Sequence, residues 1–235
     1  PTPRSEEDVD SAYQSILRGR RIDGLVVGAE QFGQQQLVEL LFKGFPFVMV
    51  GKSRFVSHWH VDTDNAGGAT DMTRHLLHLG HRHVALLAGP EDYPSVQERV
   101  QGYRATMTAA GLEPTAFHCA YHDESATRAI KELLKTQPRA TALFVAAGDL
   151  VTPALVASRE LGLAIPSDLA LAAFDDHPYY EHFRSPITAV SQPTHDLGQA
   201  AADLLFALMD GQTPERREVI LPTRLVIRNS CGSAS

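Results

Sequence analysis

Leu169-Ala-Leu-Ala-Ala173 running into Phe174-Asp175-Asp176-His177 is the stretch whose reading decides the fold. An apolar run this short, ended by polar residues, suits a strand buried on both faces of a parallel sheet. In open α/β sheets, ligands bind beyond the carboxyl ends of the strands. An aspartate placed there is either a cap or a ligand hook. On this stretch alone both readings stay open.

Working outward, the pattern repeats. Apolar runs at residues 24–28, 45–50, 84–88, 117–121 and 142–146 read as further strands. Helical spacing of apolar residues predicts helices over 5–20, 34–43, 64–79, 96–110, 124–135 and 149–161. Asp64 is placed to cap one of them, and Gly80 and Gly111 to end two. Residues 52–60 read as a loop. Strands alternating with helices indicate an α/β class, with parallel sheets wrapped by helices. After Phe174 the rhythm breaks. Residues 178–193 carry three prolines and read as an irregular crossover between two lobes. A helix over 196–210, strands at 218–221 and 225–228, and a frayed tail complete the chain.

Bulk properties narrow the function. The chain has 235 residues, with 43% hydrophobic and 21% charged, enough for a packed core. A net charge of −7 argues against a general nucleic-acid binder. Cys119 and Cys231 are far apart and form no C-x-x-C, which suits two thiols in a reducing, cytoplasmic setting or one disulfide. No apolar run approaches a membrane span, so no membrane partner is expected. No G-x-S-x-G, H-E-x-x-H, P-loop or G-x-G-x-x-G is present. No catalytic set and no cofactor are therefore expected. His75 and His78 stand three apart, a spacing that can share a metal. No Cys, Asp or Glu motif follows them, so they read as helix-end histidines and no metal site is expected.

Binding chemistry is better represented. Arg99, early in a helix that follows a strand, can aim a rigid five-donor fork at hydroxyls or a carboxylate, or form an ordinary surface ion pair. Asp149 and Asp175 each follow a strand. Tyr121, at the end of another, can lay its ring on an apolar sugar face. Trp59, between His58 and His60, is either a stacking face or plain packing. Arg99 with the two aspartates makes a constellation of the kind that orients a polar ligand.

Six passages, taken together, resemble the effector-binding core of the lactose-repressor (LacI/GalR) family of bacterial transcription regulators. They are Arg21-Ile-Asp-Gly-Leu-Val-Val27; Asp64-Asn65 with His75-Leu-Leu-His-Leu-Gly-His-Arg-His83; Glu98-Arg99-x-x-Gly102-Tyr103; Leu161-Gly-Leu-Ala-Ile-Pro-x-Asp168 with Phe174-Asp175-Asp176; Ser185-Pro-Ile-Thr-Ala-Val-Ser-Gln-Pro193; and Leu221-Pro-Thr-Arg-Leu-Val-Ile-Arg-Asn-Ser230. They cover nearly the whole chain, in order. The family's frequent Asn-Asp is Gly148-Asp149 here, Pro153 stands in the helix that follows, and Ala173 replaces a glycine. These departures leave the effector's identity open.

The resemblance implies a periplasmic-binding-protein-like fold of two α/β lobes with a small effector, a sugar or sugar derivative, held between them. The expected lobes are residues 1–88 plus 192–217 and residues 89–191 plus 218–235. It implies Arg99, Asp175, Tyr121 and Ser95 as ligand contacts, with Asp149 and Trp59 as further candidates. Asp175 is expected to face the ligand and Asp176 to hold the loop. Arg99→Ala is expected to weaken binding while leaving the fold intact. The implied partners are a second copy of the chain and operator DNA, the latter through a head absent from this chain. The chain aligns from the core's second helix onward, so it is expected to be part of a longer protein. A solute-binding protein of a sugar uptake system is the alternative on the same fold.

Overall fold

The computed structural model describes residues 22–30, 33–121, 123–137 and 140–232. The helix expected over residues 5–20 lies outside the described residues. In chain order the elements are β1 (Leu25–Gly28), α1 (Gln34–Phe42), β2 (Phe47–Val50), β3 (His60–Thr63), α2 (Asn65–His78), β4 (Val84–Ala88), α3 (Pro94–Ala109), β5 (Thr115–His118), α4 (Asp123–Thr136), β6 (Ala142–Val145), α5 (Val151–Glu160), β7 (Ala170–Phe174), β8 (Thr188–Ser191), α6 (Thr194–Met209), β9 (Glu218–Leu221) and β10 (Arg224–Val226). Short 3-10 turns occupy Gly148–Leu150 and Pro178–His182.

The chain forms two compact units, Pro1–Thr63 with Pro193–Leu221 and Asp64–Gln192 with Pro222–Ser235. The first has a sheet in the order β1-β2-β3-β9, parallel throughout. Val27, Phe47 and Met49 pack on Leu37 and Leu40 of α1. Val48 and Val61 pack instead with Leu197, Ala201 and Leu204 of α6. Alternate strand residues thus face opposite helical layers, as the period of two requires.

The second unit has a six-stranded sheet in the order β10-β8-β7-β6-β4-β5. All pairs are parallel except β8 with β10. Leu143, Val145, Leu171 and Ala173 meet α4 and α5 on one face. Leu86, Phe144, Ala172 and Phe174 meet α2 and α3 on the other. Both strand faces are therefore buried, which is why 169–173 reads as an unbroken apolar run. The two cysteines are free thiols, Cys119 packed against the first of these layers and Cys231 buried in the second. Burial raises both thiol pKa values to about 11.

Gly102 sets the helix spacing in this unit. A Cβ built on it would stand 2.2 Å from the carbonyl oxygen of Ala66 in α2. Only a glycine lets α3 approach α2 so closely. The next residue, Tyr103, is fully buried. Its hydroxyl donates to Val84 O (2.7 Å) and accepts from Thr115 N (2.8 Å), tying α3 to β4 and β5.

Three expectations need correction. The lobe boundary expected after residue 88 falls after Thr63, because α2 packs on α3 and β4 pairs with β5 and β6 in the second unit. Residues 218–221, expected in the later lobe, pair with β3 in the first. The irregular stretch 178–193 contains β8, held between β7 and β10, and the chain crosses only after Gln192. β3 escapes a sequence reading because His60-Val-Asp-Thr carries a single apolar residue. Its strand character comes from β2 and β9 on either side.

Candidate functional site

In the second unit the chain passes from β4 to β5 on one side, then returns to β6 on the other. The strand order reverses there, so the carboxyl ends of β4 and β6 form a topological switch point, where open sheets bind ligands. Five segments leave the sheet at this end: the loop from β4 into α3, the loop after β5, Gly148–Leu150 after β6, Asp175-Asp176-His177 after β7, and Gln192 after β8.

Arg99 is drawn inward from the second turn of α3 and is only 7% exposed. Its Nε donates to Asn65 Oδ1 at 2.8 Å and its Nη1 to Ala146 O at 2.8 Å. The same Nη1 reaches Asp175 Oδ2 at 3.3 Å. The guanidinium carbon lies over Phe174, 3.8 Å from the ring centroid. Among the described residues Nη2 has no hydrogen bond, so one end of the fork remains unused. Arg99 is thus oriented by protein groups and still has donors to offer. These contacts give Arg99 a part in holding this unit together as well as donors for a ligand.

Asp175 adopts φ 71°, the one positive φ of a non-glycine residue among those described. Asp is among the few residues that tolerate this left-handed region. Besides Arg99, Asp175 Oδ2 accepts from Gly148 N (3.2 Å) and Oδ1 from Gln192 Nε2 (2.5 Å). Its side chain stays 26% exposed. Asn65, one residue past the start of this unit, holds Arg99; Gln192, the last residue before the chain leaves, holds Asp175. Neither was singled out from sequence. The signal was available in Asp64-Asn65 and Gln192-Pro193, but no spacing rule says which buried amide meets which charge.

Asp176 faces a different task. Arg228 grips it with both Nη atoms, at 2.7 and 3.1 Å, and also donates to Ile187 O at 2.6 Å. That pair fastens the loop after β7 to the strand-end region of β10. Of the two neighbouring aspartates, Asp176 is thus taken up in holding the loop, while Asp175 keeps part of its carboxylate exposed.

The remaining candidates are less closely gathered. Asp149 sits in the 3-10 turn with its side chain exposed, and makes no hydrogen bond among the described residues. Tyr121 lies three residues beyond β5, not at its end, because the strand runs from Thr115 to His118. Its hydroxyl rests against Gly89, where an added Cβ would come within 2.0 Å, and its ring stacks with Tyr93 at 6.4 Å. Ser95 is half-buried in the first turn of α3. Trp59 is held by packing within its own unit. It belongs to the first unit, packs beside Val48 and Val61, and lies under Arg217 at 5.0 Å with Nε1 3.5 Å from Pro214 O. Packing accounts for both its ring and its N–H. Among the described residues no group of three or more His, Cys, Asp or Glu side chains could hold a metal ion. No helix of the described residues is long and apolar enough to cross a membrane.

This arrangement can bind and orient a polar molecule through charge-assisted hydrogen bonds. Comparison with known proteins agrees with the architecture. The periplasmic binding protein-like domain family matches residues 73–231. The HTH-type transcriptional regulator CelR of Thermobifida fusca is 35% identical over 221 residues, 91% of this chain and 65% of CelR. The chain therefore spans slightly less than two thirds of that relative. A solved CelR–cellobiose complex superimposes with TM-score 0.86 at 32% identity, covering 97% of this chain and 71% of the other. A LacI-family regulatory protein from Chloroflexus aggregans gives TM-score 0.83 at 31% identity, over 94% and 80% of the two chains. Its periplasmic-binding-protein-like fold and these relatives together place the chain in the LacI family of transcriptional regulators.

Proposed function

We propose that this chain is the effector-sensing core of a transcriptional regulator and that it binds a sugar without transforming it. The observation that carries this reading is the Arg99–Asp175 pair at the switch point. A buried arginine with an unused Nη2 stands beside the partly exposed carboxylate of a residue held in a left-handed backbone conformation. A sugar presents adjacent hydroxyls that both donate and accept. Arg99 can donate to one and Asp175 can accept from the next, an arrangement strengthened by the charges. Tyr121 and Ser95 are the further contacts this reading assigns, and Asp149 is an additional acceptor on the rim.

The cellobiose held by the CelR complex supports a glucose-containing disaccharide as the first probe. The same reading makes the core a homodimer in the cytoplasm, acting on operator DNA through a separate head. The net charge of −7 fits a core that leaves DNA contact to another segment. The compared regulators give no support to the uptake-protein alternative.

Calorimetry with cellobiose and a panel of mono- and disaccharides tests the reading. Wild type should bind at least one with 1:1 stoichiometry. Asp175→Asn keeps a residue that tolerates positive φ while removing the charge, and should weaken binding about tenfold or more. Absence of binding across the panel, or an Asp175→Asn variant with wild-type affinity, refutes it.

A further inference from the structure

His177 is the residue of this region for which nothing above gives a role. Its ring is fixed by aromatic neighbours. It stacks on Tyr179 at 5.1 Å with planes 14° apart, and meets Tyr180 edge-on at 5.3 Å. Tyr180 is fully buried and its backbone N–H donates to His177 O at 2.9 Å, so the base of the stack belongs to the core. The polar edge of the ring points toward Gly148. A Cβ built on Gly148 would stand 2.9 Å from His177 Nε2 and 3.3 Å from the Cβ of Asp175. The imidazole thus occupies the space that a side chain at residue 148 would claim, immediately beside Asp175.

Neither ring nitrogen has a hydrogen-bond partner among the described residues, although the ring is half-buried. The same corner holds a second unpaired group, the buried hydroxyl of Tyr180, which feels the charges of Asp175, Asp176 and Asp149. Half-buried polar atoms without protein partners are costly unless water or a ligand meets them. Neutral imidazole offers one donor and one acceptor, which matches a hydroxyl that does both.

We infer that His177 is a ligand-contacting residue, seated where Gly148 leaves room for its ring, that receives a sugar hydroxyl next to those held by Arg99 and Asp175. This rests on the sugar-binding reading proposed above. It also accounts for glycine at 148, since any side chain there collides with the ring.

The test uses cellobiose and calorimetry on wild type, His177→Phe, Gly148→Ala and Arg99→Lys. Phe keeps the stacking on Tyr179 and Tyr180 but removes both nitrogens. It should bind cellobiose about tenfold more weakly with an unchanged melting temperature. Gly148→Ala displaces the ring and should weaken binding comparably. Wild-type affinity in His177→Phe, with Arg99→Lys impaired, overturns the role of His177 and leaves the sugar site standing. Failure of wild type to bind cellobiose or any sugar of the panel overturns both. Should His177→Phe not fold, the imidazole ¹⁵N resonances of wild type decide. A shift of the His177 signals on adding cellobiose supports the contact, and unchanged signals overturn it.

Discussion

Replacing Arg99 probes the folding and the binding roles of one side chain together. Arg99→Ala would strand two acceptors, Asn65 Oδ1 and Ala146 O, and leave Asp175 Oδ2 with Gly148 N alone. Each such group costs about 1–3 kcal/mol when left unpaired in buried surroundings. Loss of the guanidinium over Phe174 adds roughly 1 kcal/mol. These terms share one residue and do not sum. Asp175 keeps partial solvent access, which lowers its share. The expected net loss is about 3–5 kcal/mol, the range seen when one partner of a buried ion pair is removed. For a chain of this size that is a fall of roughly 10 °C in melting temperature. Arg99→Lys retains a charge near Asp175, but a single Nζ cannot replace Nε and both Nη atoms. It should lose about half as much stability and at least tenfold in sugar affinity. Far-UV circular dichroism in urea is the appropriate readout, because Trp59, the single tryptophan, lies in the other unit. An Arg99→Ala protein with the wild-type urea midpoint would refute the idea that this buried network stabilises the second unit.

Other substitutions separate packing from binding. Gly102→Ala places a methyl 2.2 Å from the Ala66 carbonyl oxygen and should cost about 1–3 kcal/mol by forcing α2 and α3 apart, read as a lower urea midpoint. Arg228→Ala leaves Asp176 without its bidentate partner and should lower the melting temperature by several degrees while sugar affinity in calorimetry stays within twofold. Tyr103→Phe leaves Val84 O and Thr115 N unpaired and should cost about 1–3 kcal/mol in chemical denaturation. Burial raises the Tyr103 pKa from 10.0 to about 12. The folded state therefore holds this proton more tightly than the unfolded chain. Its contribution is complete below pH 10 and is lost as pH rises through about 12. Alkaline unfolding should accordingly be less steep in Tyr103→Phe than in wild type over that window.

Legibility from sequence differed sharply between elements. The run 169–173 and the matching run 84–88 declared themselves because central parallel strands are apolar on both faces. β3 and β8 did not, since neither is an unbroken apolar run and each owes its extended form to neighbours distant in sequence. The lobe boundary was misplaced for the same reason. Continuous strand–helix alternation across residues 60–90 carries no local mark of where one sheet stops and the next begins. Trp59 illustrates the converse: an aromatic between two histidines looks available, yet Arg217 and the Pro214 carbonyl, more than 150 residues away, occupy it.

What the sequence alone determined was the class of fold, the family resemblance, and the positions of Arg99 and Asp175 after strands. All three follow from local pattern: periodicity, caps, and motif spacing along the chain. What only the tertiary structure decided was the division of labour within Asp175-Asp176-His177. Asp175 turns to positive φ and shares Arg99 with Asn65, Asp176 is taken by Arg228, and His177 fills the space above Gly148. Three consecutive residues acquire three environments because their partners come from four separate segments of chain. Hydrogen bonds act over about 3 Å, so only the folded backbone settles which partner each one meets.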